Sequence, residues 1–305
     1  MKERIGRKVK NLRQEKLMTQ SELAGDKITR SMLSLIEHGN SEPSLSSLSY
    51  LAERLHVSPA FLLASEEEDA LYRRGARIGD IRIAYGSGEY KICLDLCRSV
   101  ALPEDDELNL LSAECAVALA AEEIRNGNLH RVSELLEEAI SYADATRYRA
   151  DHIYAEASVL LRYIGRFSDS FYSEIEELAS EKGISLSSAA GSPFCAYALL
   201  LLTLDEESGG ELSREKQEML TALQISAPFL ADHVEQIRLM RGGALKEALA
   251  RIGSLLNTGE QIPLPILYEL FRDREICARE TGDYKGAYES ASAKHEFLSR
   301  ILSES

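Results

Sequence analysis

Apolar positions recur at three- and four-residue spacings along most of the chain, and the alternating runs that mark strands are few. The pattern predicts an all-α protein. In the first 65 residues the helices are short. Ile5, Val9, Leu12 and Leu17 form the apolar stripe of a first helix. Thr19-Gln20-Ser21-Glu22 has capping-box spacing, in which the Thr hydroxyl accepts a free amide N–H and the Glu reaches back. A second helix follows with Leu23 and Ala24, and Gly25 supplies the turn. Thr29 caps a third helix that runs through Glu37, with Leu33 and Ile36 facing inward and Gly39 as its stop. Pro43 and Ser44 introduce a fourth, bearing Leu45, Leu48, Leu51 and Leu55. Ser58-Pro59 opens a fifth with Phe61, Leu62 and Leu63, serine capping and proline at the first helical position.

Beyond residue 65 the helices lengthen and a repeat shows in the turns. Glu66-Glu67-Glu68-Asp69 gives a helix an acidic first turn. Gly88-Glu89-Tyr90, Gly127-Asn128-Leu129, Gly165-Arg166-Phe167, Gly243-Ala244-Leu245 and Gly282-Asp283-Tyr284 follow at glycine spacings of 39, 38, 78 and 39. Since 78 is two periods of 39, a further turn is expected within Asp205–Gly210. Helix, glycine turn and helix at a fixed period mark an α-solenoid, read here as six hairpins over 66–302, the fourth near 193–224. Such stacks offer a concave surface to a partner.

Charge divides the chain in the same place. Residues 1–65 carry ten Lys/Arg against seven Asp/Glu, whereas the remainder carries 25 against 43, within a net charge of −15. A small basic unit suits nucleic acid, and an acidic body repels it. No apolar run approaches the roughly 18–20 residues of a membrane span. The basic N-terminus lacks the apolar stretch of a signal peptide. Five cysteines, an odd number set in apolar helical patterns, argue for a reducing cytoplasm rather than a disulfide framework. Cys93 and Cys97 stand one helical turn apart and read as small packing residues, so no metal or other cofactor is expected. Neither phosphate loop, zinc-protease, nucleophile-elbow nor C-x-x-C motif occurs. Pairs such as Glu137-Glu138 and Glu176-Glu177 read as solvated faces. The expectation is a non-enzyme.

Thr19-Gln20-Ser21-Glu22-Leu23-Ala24, Ser34-Leu35-Ile36-Glu37-His38-Gly39, Pro43-Ser44-Leu45 and Leu51-Ala52 together resemble the Cro/CI-type (XRE) helix-turn-helix domain, over residues 1–65. The turn is one residue shorter than the commonest form, like that of peptide-responsive regulators. The resemblance implies that the third helix enters the major groove of double-stranded DNA. Arg30, Ser31 and Leu35 would then face base edges, with Arg30 able to bond guanine bidentately. Ser34 would lie on the same exposed side, with Thr29 at the helix start. The resemblance places Gln20 at a phosphate while bracing the recognition helix, and implies a bridge between Arg13 and Glu37. Lys8, Lys10 and Lys27 are the candidate phosphate neutralisers.

Cys277…Gly282-Asp283-Tyr284…Ala287-Tyr288…Ala291 resembles the tetratricopeptide repeat, and residues 66–305 are assigned to a domain of such hairpins. The domain order resembles the peptide-sensing Rgg, PlcR and NprR-type regulators of quorum sensing. It implies an intracellular homodimer that binds a palindromic operator and changes DNA affinity when a short signalling peptide fills the repeat groove. The groove candidates are Asn109, Tyr154, Arg162, Tyr197, His233, Arg238, Tyr268 and Arg272. Arg162, Arg238 and Arg272 are expected to hold a ligand carboxylate, with Tyr154, Tyr197 and Tyr268 as apolar walls; Tyr142, Tyr148, Tyr163 and Tyr172 are spread through the same repeats, where each reads as ordinary packing. The alternative is an adaptor whose repeats bind a protein while the N-terminal module localises it to DNA.

Overall fold

Four short polar side chains begin four short helices. The Thr19 hydroxyl accepts from Glu22 N at 3.1 Å and Glu22 accepts from Thr19 N at 2.6 Å, so the capping box is complete. Thr29, Ser44 and Ser58 accept in the same way from Met32, Ser47 and Phe61. These caps satisfy amides that a helix start leaves without partners. In the computed structural model, which describes residues 2–100, 102–168, 179–189, 191–206, 210–259 and 261–303, α1 (Lys2–Glu15) comes first and the four caps set off α2 (Gln20–Ala24), α3 (Arg30–Glu37), α4 (Leu45–Arg54) and α5 (Pro59–Leu63). A second capping box, Ser65 with Glu68, starts α6 (Glu66–Gly86), where the sequence had suggested only an acidic first turn.

The chain divides into two compact units, Met1–Asp80 with Val100–Leu102, and Ile81–Ser99 with Pro103–Ser305. In the first, Ile5, Val9, Leu23, Leu33, Ile36 and Leu51 form a closed core. Gly6 lets α1 cross α3 closely, because a Cβ there would lie 2.0 Å from the Ile36 carbonyl oxygen. Three apolar positions of the expected helices, Leu17, Leu45 and Leu63, turn outward. Leu17 is 91% exposed at a left-handed φ of 56°, because α1 ends at Glu15 and the chain reverses there. Leu45 opens α4 and is 74% exposed.

In the second unit the helices are α7 (Tyr90–Val100), α8 (Asp106–Asn126), α9 (Leu129–Ala145), α10 (Asp151–Gly165), α11 (Pro193–Glu206), α12 (Arg214–Ser226), α13 (Pro228–Arg241), α14 (Leu245–Leu256), α15 (Leu264–Glu280) and α16 (Tyr284–Ser303). Helices pack in sequential hairpins, α8 on α9, α11 on α12, α13 on α14 and α15 on α16, and successive hairpins touch. No strand occurs among the described residues. Gly88, Gly127, Gly243 and Gly282 all take the left-handed φ of 74–89° that the repeat turns require. Gly165 differs, since it ends α10 and the turn is made by Arg166 and Phe167. At the turn expected in Asp205–Gly210, α11 ends at Glu206 and Gly210 is left-handed, while residues 207–209 lie outside the described set. Tyr172 and Glu176-Glu177 lie outside it too. No helix among the described residues is long and apolar enough to cross a membrane.

Candidate functional site

Helix α3 is amphipathic in a way that sorts its residues by task. Leu33, Ile36 and Glu37 are buried. Arg30, Ser31, Ser34 and Leu35 fall at i, i+1, i+4 and i+5, so they share the opposite face, with Arg30 and Ser31 exposed and Leu35 47% exposed. Met32, 43% exposed, is an exposed apolar neighbour that the sequence reading did not single out. Thr29 stands at the N-cap, its hydroxyl committed to Met32 N.

Beneath that face lies a buried brace. Arg13 Nε donates to Glu37 Oε1 at 2.6 Å and Nη2 to Oε2 at 3.0 Å, the fork-on-carboxylate arrangement. Arg13 also donates to the Met18 carbonyl at 2.8 Å, and Gln20 Nε2 donates to Glu37 Oε2 at 2.8 Å. One carboxylate therefore joins α1, α2 and α3. Burial acts to raise the Glu37 pKa, but the hydrogen bonds from Arg13 and Gln20 and the charges of Arg13 and Lys10 outweigh it, and the carboxyl sits below its ordinary value.

The three lysines diverge. Lys27 is exposed, its ammonium 5.2 Å from the Tyr50 ring centre, and Lys10 is half-buried. Lys8, expected at the phosphate backbone, is instead 9% exposed. Its Nζ donates to Phe61 O at 2.9 Å and Ala64 O at 2.7 Å and pairs with Asp69. It caps the carbonyl end of α5, which a cation stabilises.

In the second unit most groove candidates are committed to the chain itself. Asn109 is buried, its amide donating to Pro103 O at 2.8 Å and Ala145 O at 3.5 Å, so it ties the start of α8 to the end of α9. Tyr154 donates to Asp144 at 2.7 Å. Tyr197 is fully buried and its hydroxyl lies 2.8 Å from His233 Nδ1. Each arginine expected to hold a ligand carboxylate already faces a carboxylate of its own chain. Arg162 lies 3.5 Å from Glu206, Arg238 donates to Glu235 at 2.8 Å and to Gly210 O at 3.1 Å, and Arg272 approaches Glu269 at 2.5 Å and Asp273 at 3.0 Å.

The structure brings the half-buried Tyr268 and Arg272 against a cluster of Tyr163, Arg166, Tyr197 and Glu269. Arg166 Nε and Nη2 grip Glu269 at 2.8 and 2.9 Å, and Arg166 also pairs with Asp205. Phe167 meets Tyr268 at a tilt with ring centres 5.3 Å apart, and Tyr163 meets Tyr197 at 6.1 Å. Burial opposes the Glu269 charge, yet Arg272 and Arg166 hold its carboxyl down at about 2. Burial pushes His233 down to about 4 and keeps the ring neutral. Local sequence carries little sign of this cluster, because Arg166 and Glu269 are 103 residues apart.

A second group assembles around a pocket of about 470 Å³, lined by Tyr85, Tyr90, Glu114, His152, Glu156 and Phe194 among others. Glu114 accepts from the Tyr85 hydroxyl and lies 3.3 Å from His152 Nε2. The five cysteines are free and buried, and burial pushes the Cys97 thiol up to about 12. No group of three or more metal-binding side chains is found among the described residues.

Residues 9–62 match the helix-turn-helix family. No curated protein matches the chain. Among solved structures, PlcR of Bacillus thuringiensis, in complex with the peptide PapR7 and DNA, is 15% identical over 99% of this chain and 96% of its own, with a TM-score of 0.24. Apo ComR from S. thermophilus is 16% identical over 99% and 95%, with a TM-score of 0.29. The Streptococcus dysgalactiae pheromone receptor Rgg2 is 14% identical over 95% and 97%, with a TM-score of 0.24. The capped helices α2 and α3, the brace on Glu37 and the family match over 9–62 agree: the N-terminal unit carries a helix-turn-helix DNA-binding domain of the XRE type.

Proposed function

We propose that this chain is a sequence-specific, cytoplasmic transcription regulator. Residues 1–65 read a palindromic operator as part of a homodimer. Residues 66–305, a tetratricopeptide-like repeat domain, dimerise and sense a ligand, for which the sequence resemblance implies a short peptide. The observation that carries this reading is the row on α3 in which Arg30, Ser31 and Leu35 are exposed and Ser34 is half-buried beside them, backed by the Arg13–Glu37–Gln20 brace. Base edges are met by side chains held on a rigid helix, and the brace supplies that rigidity. Gln20, Thr29, Lys10 and Lys27 are the proposed phosphate neighbours.

The test is duplex binding by full-length protein against an operator selected from random sequence. Arg30→Ala is expected to weaken specific binding by about 1–3 kcal/mol while leaving non-specific affinity nearly unchanged, because a base contact carries sequence information and a phosphate contact does not. Unchanged preference in Arg30→Ala refutes the docking of α3. A chain that stays monomeric in solution with its operator present refutes the dimer.

A further inference from the structure

The pocket among Tyr85, Glu114, His152 and Glu156 contains two carboxylates in different circumstances. Glu114 is satisfied, one oxygen accepting from Tyr85 and the other facing His152. Its carboxyl stays below the ordinary value, because those two hydrogen bonds outweigh burial. Glu156 sits one helical turn beyond His152 on α10, so both side chains share a face. It is 8% exposed, and the hydrogen bond that favours its charged form comes from the Gly191 backbone. The nearest imidazole is already turned to Glu114. Gly191 permits the close approach, since a Cβ there would lie 2.6 Å from Glu156 Oε1.

A carboxylate offers about four acceptor sites, and a buried charge is costly until paired. Glu156 therefore retains acceptor capacity in the lining of the cavity, where among the described residues the two cationic side chains are His152, turned to Glu114, and the exposed Arg125. Ala118, Ala121 and Ala227 leave the volume, and Tyr85, Tyr90 and Phe194 line it. The faces of aromatic rings attract cations. Resting on the ligand-sensing reading above, we propose that this pocket takes a ligand that delivers a protonated nitrogen to Glu156 between aromatic walls. A lysine side chain, a peptide N-terminus or a free amine supplies that chemistry.

Burial pushes the Glu156 carboxyl up to about 7, with the Glu114 charge adding to the rise and the His152 charge and Gly191 amide opposing it. Among the described residues that line the pocket, Arg125, Tyr85 and Tyr90 are the other titratable or charged groups, and the Cys195 thiol senses the Glu156 charge. An incoming cation thus displaces a proton, and affinity falls as pH drops through 7.

The experiment is calorimetry on the full-length chain without DNA. The probes are benzylammonium and its neutral counterpart benzyl alcohol. Benzylammonium is expected to bind at least about tenfold more tightly than the alcohol at pH 8, and about tenfold more weakly at pH 6 than at pH 8 as the proton competes. Glu156→Gln should abolish the preference, and Ala118→Phe, which adds a ring to the pocket lining and leaves Glu156 in place, should exclude both probes. Two pentapeptides, one with a lysine and an acetylated N-terminus, the other lysine-free with a free N-terminus, tell the peptide sources apart. Equal affinity for amine and alcohol, or absence of ammonium binding by folded wild-type protein, overturns the site. Operator binding measured in parallel separates the two readings. Ammonium binding that leaves operator affinity unchanged supports the site and counts against ligand-controlled regulation, whereas lost ammonium binding beside intact operator recognition overturns the site alone.

Discussion

Replacing Lys8 by Met separates a structural lysine from a phosphate-binding one. The side chain keeps its length and loses its charge. Two charge-assisted hydrogen bonds, to Phe61 O at 2.9 Å and Ala64 O at 2.7 Å, disappear, and Asp69, whose side chain is 15% exposed, loses its partner. Bonds to charged groups are worth about 1.5–3 kcal/mol each, and an acceptor left buried adds to the loss. Water reaches part of this edge, so the sum is discounted to about 2–4 kcal/mol. Hydrogen–deuterium exchange of the full-length chain, read on peptides from α1 and α5, reports that loss as a fall in protection of roughly 30- to 700-fold at 1.4 kcal/mol per decade. Operator binding across a salt series gives the second readout. A lost phosphate contact lowers the slope of log affinity against log salt by about 0.9, and Lys8→Met is expected to leave it unchanged. Unaltered protection together with a slope lowered by nearly one refutes the structural assignment.

Gly6→Ala places a methyl 2.0 Å from the Ile36 carbonyl oxygen, so α1 and α3 must separate; a loss of about 1–3 kcal/mol is expected in urea unfolding of the first unit. Glu269→Gln removes the buried charge that Arg166 and Arg272 share while leaving Arg166 with Asp205 and Arg272 with Asp273, and should destabilise the repeat by about 1–3 kcal/mol in the same assay. The folded Glu269 carboxyl lies at about 2, below its ordinary value of 4.5, so its contribution is complete above pH 4.5 and is lost as pH falls toward 2. His233, held at about 4 when folded against 6.5 ordinarily, takes up its proton first in the unfolded chain. Its share of stability is present above pH 6.5 and declines toward pH 4, by up to about 3 kcal/mol. Glu156 acts with the opposite sign over much of that range, so the His233 share is read as the difference between wild type and His233→Gln in unfolding from pH 7 to 4.

Local chemistry determined the start of the first unit's short helices. A hydroxyl at Thr19, Thr29, Ser44 or Ser58 meets an amide three residues away, and that pairing needs nothing from the rest of the chain. The repeat turns at Gly88, Gly127, Gly243 and Gly282 were legible for the same reason, since a left-handed φ selects glycine wherever the turn falls. The row on α3 came from the family resemblance, and helical spacing agrees with it because Leu33 and Ile36 take the inward face. Tertiary structure decided how each charged side chain was used. Lys8 and Lys27 are alike as residues, and only the packing of α1 against the carbonyl end of α5 buries one while the other stays exposed. Arg272 is half-buried and turned onto its own chain because Glu269 and Asp273 meet it in a cluster that Arg166 enters from far away in the sequence. Glu114, His152 and Glu156 read singly as scattered polar residues. Their shared pocket exists because α6, α8 and α10 converge, and a carboxylate's charge state is set by the burial and the partners that convergence imposes.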